Sequence, residues 1–313
     1  MSLQSGFRNR REFLSALAGG AVGLTLTYRA YGQNPPAPIK ATKLSDNVAV
    51  MMGDGGNIGV VISPDGLMMI DGGYPERAAD LAKAISEQVD AHKVTLLFDT
   101  HWHFDHVGSN ESLGRAGVKI MAHENVKKRL SVRTTMEANG RTFDPLKPEG
   151  LPTQEFSKGG KMTYGKEKIE YVHIPLAHTD GDTYLFFPGP NILHTGDMLF
   201  NGMYPVIDYS TGGWVGGMAA AAAAMHKVGD ANTKIIPGHG PMATKDDLKA
   251  AHDMLAAVTE RLEKMAKAGK SVDEAVAAAP TKDFDEKFGR GIFKPDAWTK
   301  IAYNSVLRHN QKS

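Results

Sequence analysis

The densest group of chemically active side chains is the run His101-Trp102-His103-Phe104-Asp105-His106. Its imidazoles and its carboxylate are nitrogen and oxygen ligands of the kind that Zn²⁺ binds in proteins. In an extended segment His101 and His103 can point to one ion, because alternate side chains share a face, while Asp105 and His106 turn towards a second. The run predicts a metal site; the alternative is a set of surface histidines or of hydrogen-bonded core histidines.

Further ligand-type residues each follow an apolar, strand-like segment. Proteins of the α/β class bind ligands beyond the carboxyl ends of their strands, and His101 likewise comes soon after the apolar segment 94–98. Glycines beside these residues let the backbone approach closely. The residues, with the segments before them, are His178 after 168–174, Asp197 after 191–194 and His239 after 234–236.

The segments that would position these residues alternate between strand-like and helical patterns. A helix that begins at Pro75 lies between the strand-like segments 67–70 and 94–98, and this alternation indicates an α/β fold. Hairpin-like strand pairs in the second half fit a simple doubly wound sheet poorly. The polar, proline-containing stretch 131–165 is predicted to be an irregular excursion, and periodicity predicts a helix over 244–268.

Composition excludes several classes of protein. The chain has 313 residues with 42% hydrophobic and 23% charged residues, which is ordinary globular composition rather than disorder or collagen. Its 36 Lys+Arg nearly balance 35 Asp+Glu, so no charge block suggests a nucleic-acid or membrane-docking partner. There is no cysteine, which rules out disulfides, thiolate nucleophiles and thiolate metal sites.

The first 32 residues have the pattern of a targeting segment. The pair Arg10-Arg11 precedes Phe13-Leu14, an apolar Gly/Ala-rich run continues to Thr27, and small residues follow at positions 30 and 32. The apolar run is shorter than the roughly 20 residues that a membrane span needs. This pattern resembles a twin-arginine signal peptide and predicts a bacterial protein that is periplasmic or secreted, with no membrane association after cleavage. A Pro-rich linker over 33–41 and a catalytic domain over 42–313, helical over 246–313, would follow.

Five motifs in order resemble the metallo-β-lactamase superfamily: Asp71-Gly72-Gly73, the His101–His106 run, His178, Asp197 and His239. The resemblance implies an αββα sandwich, within the α/β class, with two Zn²⁺ at one edge. It assigns His101, His103 and His178 to the first ion and Asp105, His106 and His239 to the second. Asp197 matches a carboxylate that bridges both ions. Asp71 matches a residue that orients the ligand loop rather than binding metal.

The activity implied is hydrolysis of a small molecule with an activated carbonyl, such as an ester, lactone, thioester or strained amide, by a metal-bridging hydroxide. Asp105 would orient the water and shuttle its proton. Asp197 stands where β-lactamases resembling this sequence usually carry Cys or Ser, and no Lys or Arg lies between Met198 and Met225. We therefore expect β-lactam turnover to be slow.

Three alternatives stay open at this stage. The first is a glyoxalase-II-like thioesterase or a lactonase that uses the same metals. The second is a di-iron oxidoreductase, although that branch typically has a carboxylate where His103 stands. The third is a binding protein with a degenerate site, which the complete set of ligand-type residues argues against. Metal content separates these classes: zinc, iron or none.

Two weaker patterns concern the surroundings of the predicted site. The Gly-rich segment 53–59 does not fit a dinucleotide-binding fingerprint, because position 58 is Ile. A hairpin turn is the simpler interpretation, and a mobile flap over the metal site is the functional one. Asn201, Met203 and Tyr204 are the polar and aromatic candidates for contact with substrate.

The arginine pair is predicted to be necessary for export. Changing Arg10 and Arg11 together to Lys preserves the charge but removes the recognised guanidinium groups, so the precursor should stay in the cytoplasm. Fractionation of cells followed by immunoblotting measures this, with Arg8→Lys as the control. Normal periplasmic accumulation of the double variant would contradict the twin-arginine interpretation.

Overall fold

The structure is a computed structural model that describes residues 36–89 and 93–311. The predicted signal peptide over 1–32 and the start of the 33–41 linker lie outside the described residues, so both stay predictions. None of the helices within these residues has the length and apolar character to cross a membrane. The chain folds into two compact units, and the second comprises Arg133–Asp144, Lys158–Gly160 and everything from Glu170 onward.

The first unit is built on a seven-stranded sheet with the order β1-β2-β3-β4-β5-β6-β9. Its first four strands pair antiparallel, and β4, β5, β6 and β9 pair parallel. The strands are β1 Lys40–Lys43, β2 Val48–Met52, β3 Ile58–Ser63, β4 Gly66–Ile70, β5 Val94–Asp99, β6 Lys119–His123 and β9 Gln154–Phe156.

Helices connect the parallel strands of this sheet, as parallel pairing requires. The helix between β4 and β5 buries Leu81 and Ile85 in the same apolar cluster as Leu67 and Leu97, which lie on those two strands. The helices are α1 Ala78–Gln88, α2 Asn110–Arg115 and α3 Glu124–Leu130, with 3-10 turns at Pro75–Arg77 and Pro148–Gly150.

A second sheet has five strands in the order β10-β11-β12-β13-β14, and β12 to β14 lie wholly in the second unit. The pair β13 and β14 is parallel, whereas β11–β12 and β12–β13 are antiparallel. The strands are β10 Gly159–Tyr164, β11 Glu167–His173, β12 Thr183–Phe187, β13 Ile192–His194 and β14 Lys234–Ile236. A separate two-stranded sheet pairs β7 Thr134–Met136 with β8 Arg141–Phe143.

The second unit also contains the helices that follow the last strand. The longest begins with a capping box, in which Thr244 and Asp247 satisfy each other's backbone N–H groups. The buried side chains Met218, Leu255 and Trp298 belong to one apolar cluster that joins three of these helices. The helices are α4 Val215–His226, α5 Lys245–Lys267, α6 Val272–Ala277, α7 Asp285–Phe288 and α8 Pro295–Asn310, with 3-10 turns at Gly196–Met198 and Lys282–Phe284.

The mixed α/β class expected from the sequence is confirmed, including the poor fit to a simple doubly wound sheet. The interpretation of 131–165 as irregular is wrong, because this stretch contains β7, β8, β9 and all of β10. Pro145, Pro148 and Pro152 lie between those strands rather than inside them. Strands of three residues are too short to show an alternating pattern, which is why the sequence does not reveal them.

Candidate metal centre

The first unit places four candidate ligands directly after strand β5. The ligand atoms of His101 and His103 lie within 4.8 Å of each other, and so do those of Asp105 and His106. The rings of His101 and His106 are also close, with centroids 4.2 Å apart. The segment from His101 to His106 therefore gathers all four side chains, and this grouping could hold metal.

Asp71 is the carboxylate that organises this segment. Strands β4 and β5 are parallel neighbours, so Asp71 and Thr100, each just past the end of its strand, come together. Asp71 Oδ1 accepts a hydrogen bond of 2.8 Å from the Thr100 backbone N–H, and Oδ2 accepts one of 2.8 Å from the Thr100 hydroxyl. The same Oδ2 lies 2.8 Å from Nδ1 of His106. All these groups are buried, where bonds to an ionised acceptor are strong.

The backbone of Asp71 has φ of 67°, in the left-handed region that costs a non-glycine residue free energy. Aspartate tolerates this conformation better than most residues do. The conformation is held by hydrogen bonds on both sides of the turn, from Asp71 N–H to Phe98 O at 2.8 Å and from Gly72 N–H to His106 O at 2.5 Å.

These contacts determine which nitrogen of each imidazole carries a proton. His106 Nδ1 faces the Asp71 carboxylate, so it is the donor, and in the neutral ring Nε2 then has the lone pair. The only hydroxyl hydrogen of Thr100 goes to Asp71, so Thr100 Oγ1 must accept from Nδ1 of His101 at 3.1 Å. Neutral His101 and His106 therefore both have Nε2 available as a metal ligand.

The turn between β2 and β3 packs against one of these rings. A Cβ added at Gly56 would stand 2.8 Å from Nε2 of His106, closer than any side chain tolerates. The hairpin interpretation of 53–59 is confirmed by the antiparallel pairing of β2 with β3. Glycine is required at position 56 because the backbone itself lies against the imidazole.

In the second unit, His178 lies in the loop between β11 and β12, and Asp182 clamps that loop. The Asp182 carboxylate accepts hydrogen bonds from the backbone N–H groups of His178, at 2.6 Å, and Thr179, at 2.9 Å. It also accepts one of 2.5 Å from the Thr179 hydroxyl. The His178 ring is fixed separately, because its Nδ1 lies 2.8 Å from the carbonyl oxygen of Val206. A carbonyl only accepts, so Nδ1 carries the proton and Nε2 has the lone pair.

Asp197 and His239 lie just past the ends of β13 and β14, which are parallel neighbours. Asp197 Oδ2 lies 3.4 Å from Nε2 of His178 and 3.4 Å from Nε2 of His239. Gly238 permits this approach, since any Cβ there would collide with Asp197 Oδ1. The ring of Phe200 stacks on His239 with centroids 4.8 Å apart and 19° between the planes.

The geometry in each unit suits a cation. A neutral His178 presents a lone pair to a carboxylate oxygen, and His106 does the same towards Asp105 Oδ2 at 3.8 Å. Two acceptors that face each other in a buried site need a proton or a metal ion between them. Nitrogen and carboxylate donors with one imidazole face already bonded are the usual surroundings of a zinc ligand.

Asp99, the last residue of β5, is a further buried carboxyl group beside this segment. Burial raises its pKa well above the ordinary range, the hydrogen bond from Asn110 opposes that rise, and the negative charge of Asp71 adds to it. The Asn110 side-chain N–H donates to Asp99 Oδ2 at 2.8 Å. Burial therefore favours the protonated form of Asp99.

Two of the residues suggested for substrate contact serve other purposes. The Asn201 amide donates to the carbonyl groups of Pro241, at 3.1 Å, and Met242, at 3.3 Å, next to His239. Tyr204 is fully buried and its hydroxyl donates to Asp285. The structure thus assigns both to support of the second unit. Sequence reasoning missed Thr100 and Asp182, although the segment Thr179-Asp180-Gly181-Asp182 is of the kind in which a carboxylate caps its own loop.

Comparison with known proteins identifies the family of this chain. The family model described as "Metallo-beta-lactamase superfamily" matches residues 51–247, so the chain belongs to that superfamily. The match ends near the start of α5, and most of the helical C-terminal part lies beyond it.

A curated relative is hydroxyacylglutathione hydrolase of Gloeobacter violaceus, 29% identical over 112 residues that make up 35% of this chain and 36% of the relative. The chain thus spans about a third of that relative's length. Among solved structures, a metallo-β-lactamase of Pontibacter korlensis has TM-score 0.56 and 19% identity, covering 70% of this chain and 99% of that one. A double mutant of the sec-alkyl sulfatase PisA1 has TM-score 0.65 and 14% identity, covering 88% of this chain and 52% of that one. At these low identities, the similarities to the two solved structures concern the fold alone.

Asp71→Asn should destabilise the metal-free protein. Asparagine accepts the left-handed backbone but loses the charge and one acceptor, so the free energy of unfolding should fall by about 1.5–3 kcal/mol. Denaturant unfolding in the presence of a chelator measures it. Asp65→Asn, in an exposed turn, is the matched control and should change little. Equal effects of the two substitutions would contradict the organising role of Asp71.

Gly56→Ala should also lower stability, because the new methyl group must displace the His106 ring or the turn. Overpacking of this kind costs about 1–3 kcal/mol. Gly53→Ala in the same turn is the control, since its methyl group would meet the side chain of Ile39 at 3.0 Å rather than a buried imidazole. A melting temperature of Gly56→Ala no lower than that of Gly53→Ala would show that the turn yields freely.

Proposed function

We propose that the chain is a binuclear zinc hydrolase. His101, His103 and His178 would hold the first ion, Asp105, His106 and His239 the second, and Asp197 would bridge them. The observation that carries the proposal is the position of Asp197 Oδ2, 3.4 Å from Nε2 of two histidines, His178 and His239. Membership of the superfamily supports the same assignment.

When bound, the two zinc ions would supply Lewis acidity and lower the pKa of water towards about 7. The protein's own residues would orient the metal ligands and transfer a proton. Asp71 and Val206 hold the rings of His106 and His178 in the tautomer that has its lone pair on Nε2. Asp105, whose side chain is slightly exposed, can accept a proton at Oδ2 and pass it to solvent. No side-chain nucleophile is needed.

The substrate class we propose is an activated carbonyl: an ester, lactone, thioester or strained amide. A carboxylate at position 197 adds negative charge where an anionic ring-opened nitrogen would have to bind. The segment between Met198 and Met225 contains no Lys or Arg that could pair with a substrate carboxylate. Both features favour slow β-lactam turnover.

A glyoxalase-II-like thioesterase is the second candidate. The short likeness to a hydroxyacylglutathione hydrolase favours it, since that enzyme's name denotes a thioester substrate. A di-iron oxidoreductase is the candidate of another class, and His103 in place of a carboxylate speaks against it. We also propose that the protein is exported, to the periplasm or beyond the cell, and that its partner is a small molecule, with no nucleic acid and no membrane after signal cleavage.

Elemental analysis of the purified protein should find close to two zinc ions per chain. His103→Ala and His239→Ala should each lose metal, and activity should fall by orders of magnitude, because each removes a direct ligand. His252→Ala, a partly exposed histidine of α5, is the control and should retain both ions. Iron in place of zinc would favour the oxidoreductase, and a fully active metal-free preparation would refute the proposal.

The substrate class is tested by comparing kcat/KM for a chromogenic cephalosporin with values for aryl ester, lactone and thioester substrates. We expect the cephalosporin to be the poorest of the four. A β-lactam value of about 10⁶ M⁻¹s⁻¹, within the range of evolved enzymes, and well above the other three, would show that Asp197 does not set the substrate class. A thioester far above the rest would favour the second candidate.

A further inference from the structure

The helices after residue 247 extend beyond the family match and contact a segment that fixes one candidate ligand. This segment, Tyr204 to Asp208, is here called the 204–208 segment. Trp298 in α8 is fully buried, and its indole N–H donates to the carbonyl oxygen of Pro205 at 2.7 Å. Its ring also stacks on Tyr204, with centroids 4.4 Å apart and 14° between the planes.

A second set of contacts anchors the start of the same segment. The Tyr204 hydroxyl donates to Asp285 Oδ1 at 2.7 Å, and the carbonyl oxygen of Thr281 lies 3.3 Å from the same hydroxyl oxygen. The Tyr204 backbone N–H donates to the carbonyl oxygen of Phe288 at 3.0 Å. Burial raises the pKa of the Tyr204 hydroxyl, with the neighbouring Asp285 carboxylate adding to the rise, so the hydroxyl keeps the proton that it donates.

The other side of the segment faces His178. Val206 O lies 2.8 Å from Nδ1 of His178, and the Asp208 N–H donates to the His178 carbonyl oxygen at 3.0 Å. Pro205, which receives the indole bond, is therefore adjacent in the chain to the residue whose carbonyl sets the His178 tautomer. The Pro205 carbonyl and the N–H and Cα of Val206 belong to one planar peptide group, so a displacement of the Pro205 oxygen also moves Val206.

We propose that Trp298 is a positioning residue for His178, acting through the 204–208 segment. The C-terminal helices thereby become part of the apparatus that keeps the His178 Nε2 directed at Asp197. The consequence for metal binding rests on the proposed function, whereas the consequence for the His178 ring holds for the protein without metal. Tyr204, through its hydrogen bond to Asp285, also helps to position His178.

The test compares Trp298→Phe and Tyr204→Phe with Tyr303→Phe. Tyr303 is the matched control, because it lies on the same helix, is fully buried and loses a hydroxyl bond of 2.6 Å, but that bond goes to Lys270 O. All three variants remove one buried donor. If Trp298→Phe does not fold, Tyr204→Phe, which loses only an oxygen atom, decides the question.

The first readout is the ¹⁵N NMR spectrum of histidine-labelled protein kept free of metal. In the wild type and in Tyr303→Phe, we expect a slowly exchanging His178 Nδ1–H in a single tautomer. In Trp298→Phe and Tyr204→Phe, this proton should exchange faster and the Nε2–H tautomer should appear. An unchanged His178 resonance in both variants would overturn the proposal.

The second readout is the affinity for Zn²⁺ alone, measured at pH 7 by competition with a chromophoric chelator. Residues that support a ligand typically change affinity by about 10–100-fold, and we expect the lower end of that range for Trp298→Phe. Tyr303→Phe should keep wild-type affinity even where it lowers the melting temperature as much. Equal affinity of Trp298→Phe and Tyr303→Phe would overturn the proposal, whereas a wild type that binds no zinc would refute the proposed function and leave the NMR result to decide this one.

Discussion

The ligand segment of the first unit depends on the hydrogen bonds that the Asp71 carboxylate accepts from Thr100 and His106. It accepts from a backbone N–H, a hydroxyl and an imidazole at once, each at 2.8 Å. Buried acceptors of this kind are costly when they lack donors, and their hydrogen bonds are strong when several donors reach them. The left-handed backbone of Asp71 persists because these bonds and the parallel strands β4 and β5 over-determine it.

In the second unit, different groups fix the imidazole and the loop of a candidate ligand. A backbone carbonyl, Val206 O, takes the place of a carboxylate at the imidazole Nδ1, and Asp182 holds the loop rather than the ring. A neutral acceptor fixes the tautomer without adding charge beside the ligand. At the His178 ring itself the neighbouring carboxylate is therefore that of Asp197, on the Nε2 side, where a cation would be bound.

Small residues are as necessary as polar ones at these positions. Gly56 and Gly238 stand where any Cβ would collide with His106 or with Asp197, so the backbone itself forms part of the packing around a ligand. Phe200 completes the support by stacking on His239. The ligands are held by their surroundings on several sides, which is the requirement for a site that binds metal without rearranging.

The residue pattern was enough to predict the α/β class and to single out the candidate ligands, because dense His and Asp residues after apolar strands leave a recognisable local signal. It also indicated that Asp71 would act on the ligand segment. The folded chain was needed to show that Thr100 forms a hydrogen-bonded link between Asp71 and His101, and that Val206 O fixes the tautomer of His178. It was also needed to show that Asn201 and Tyr204 support the structure. These contacts join residues far apart in the chain or use backbone atoms. Backbone atoms have the same chemistry at every position, so residue types in the sequence do not predict such contacts. The short strands within 131–165 were hidden for a related reason: three residues form a strand only when a neighbouring strand supplies the pairing.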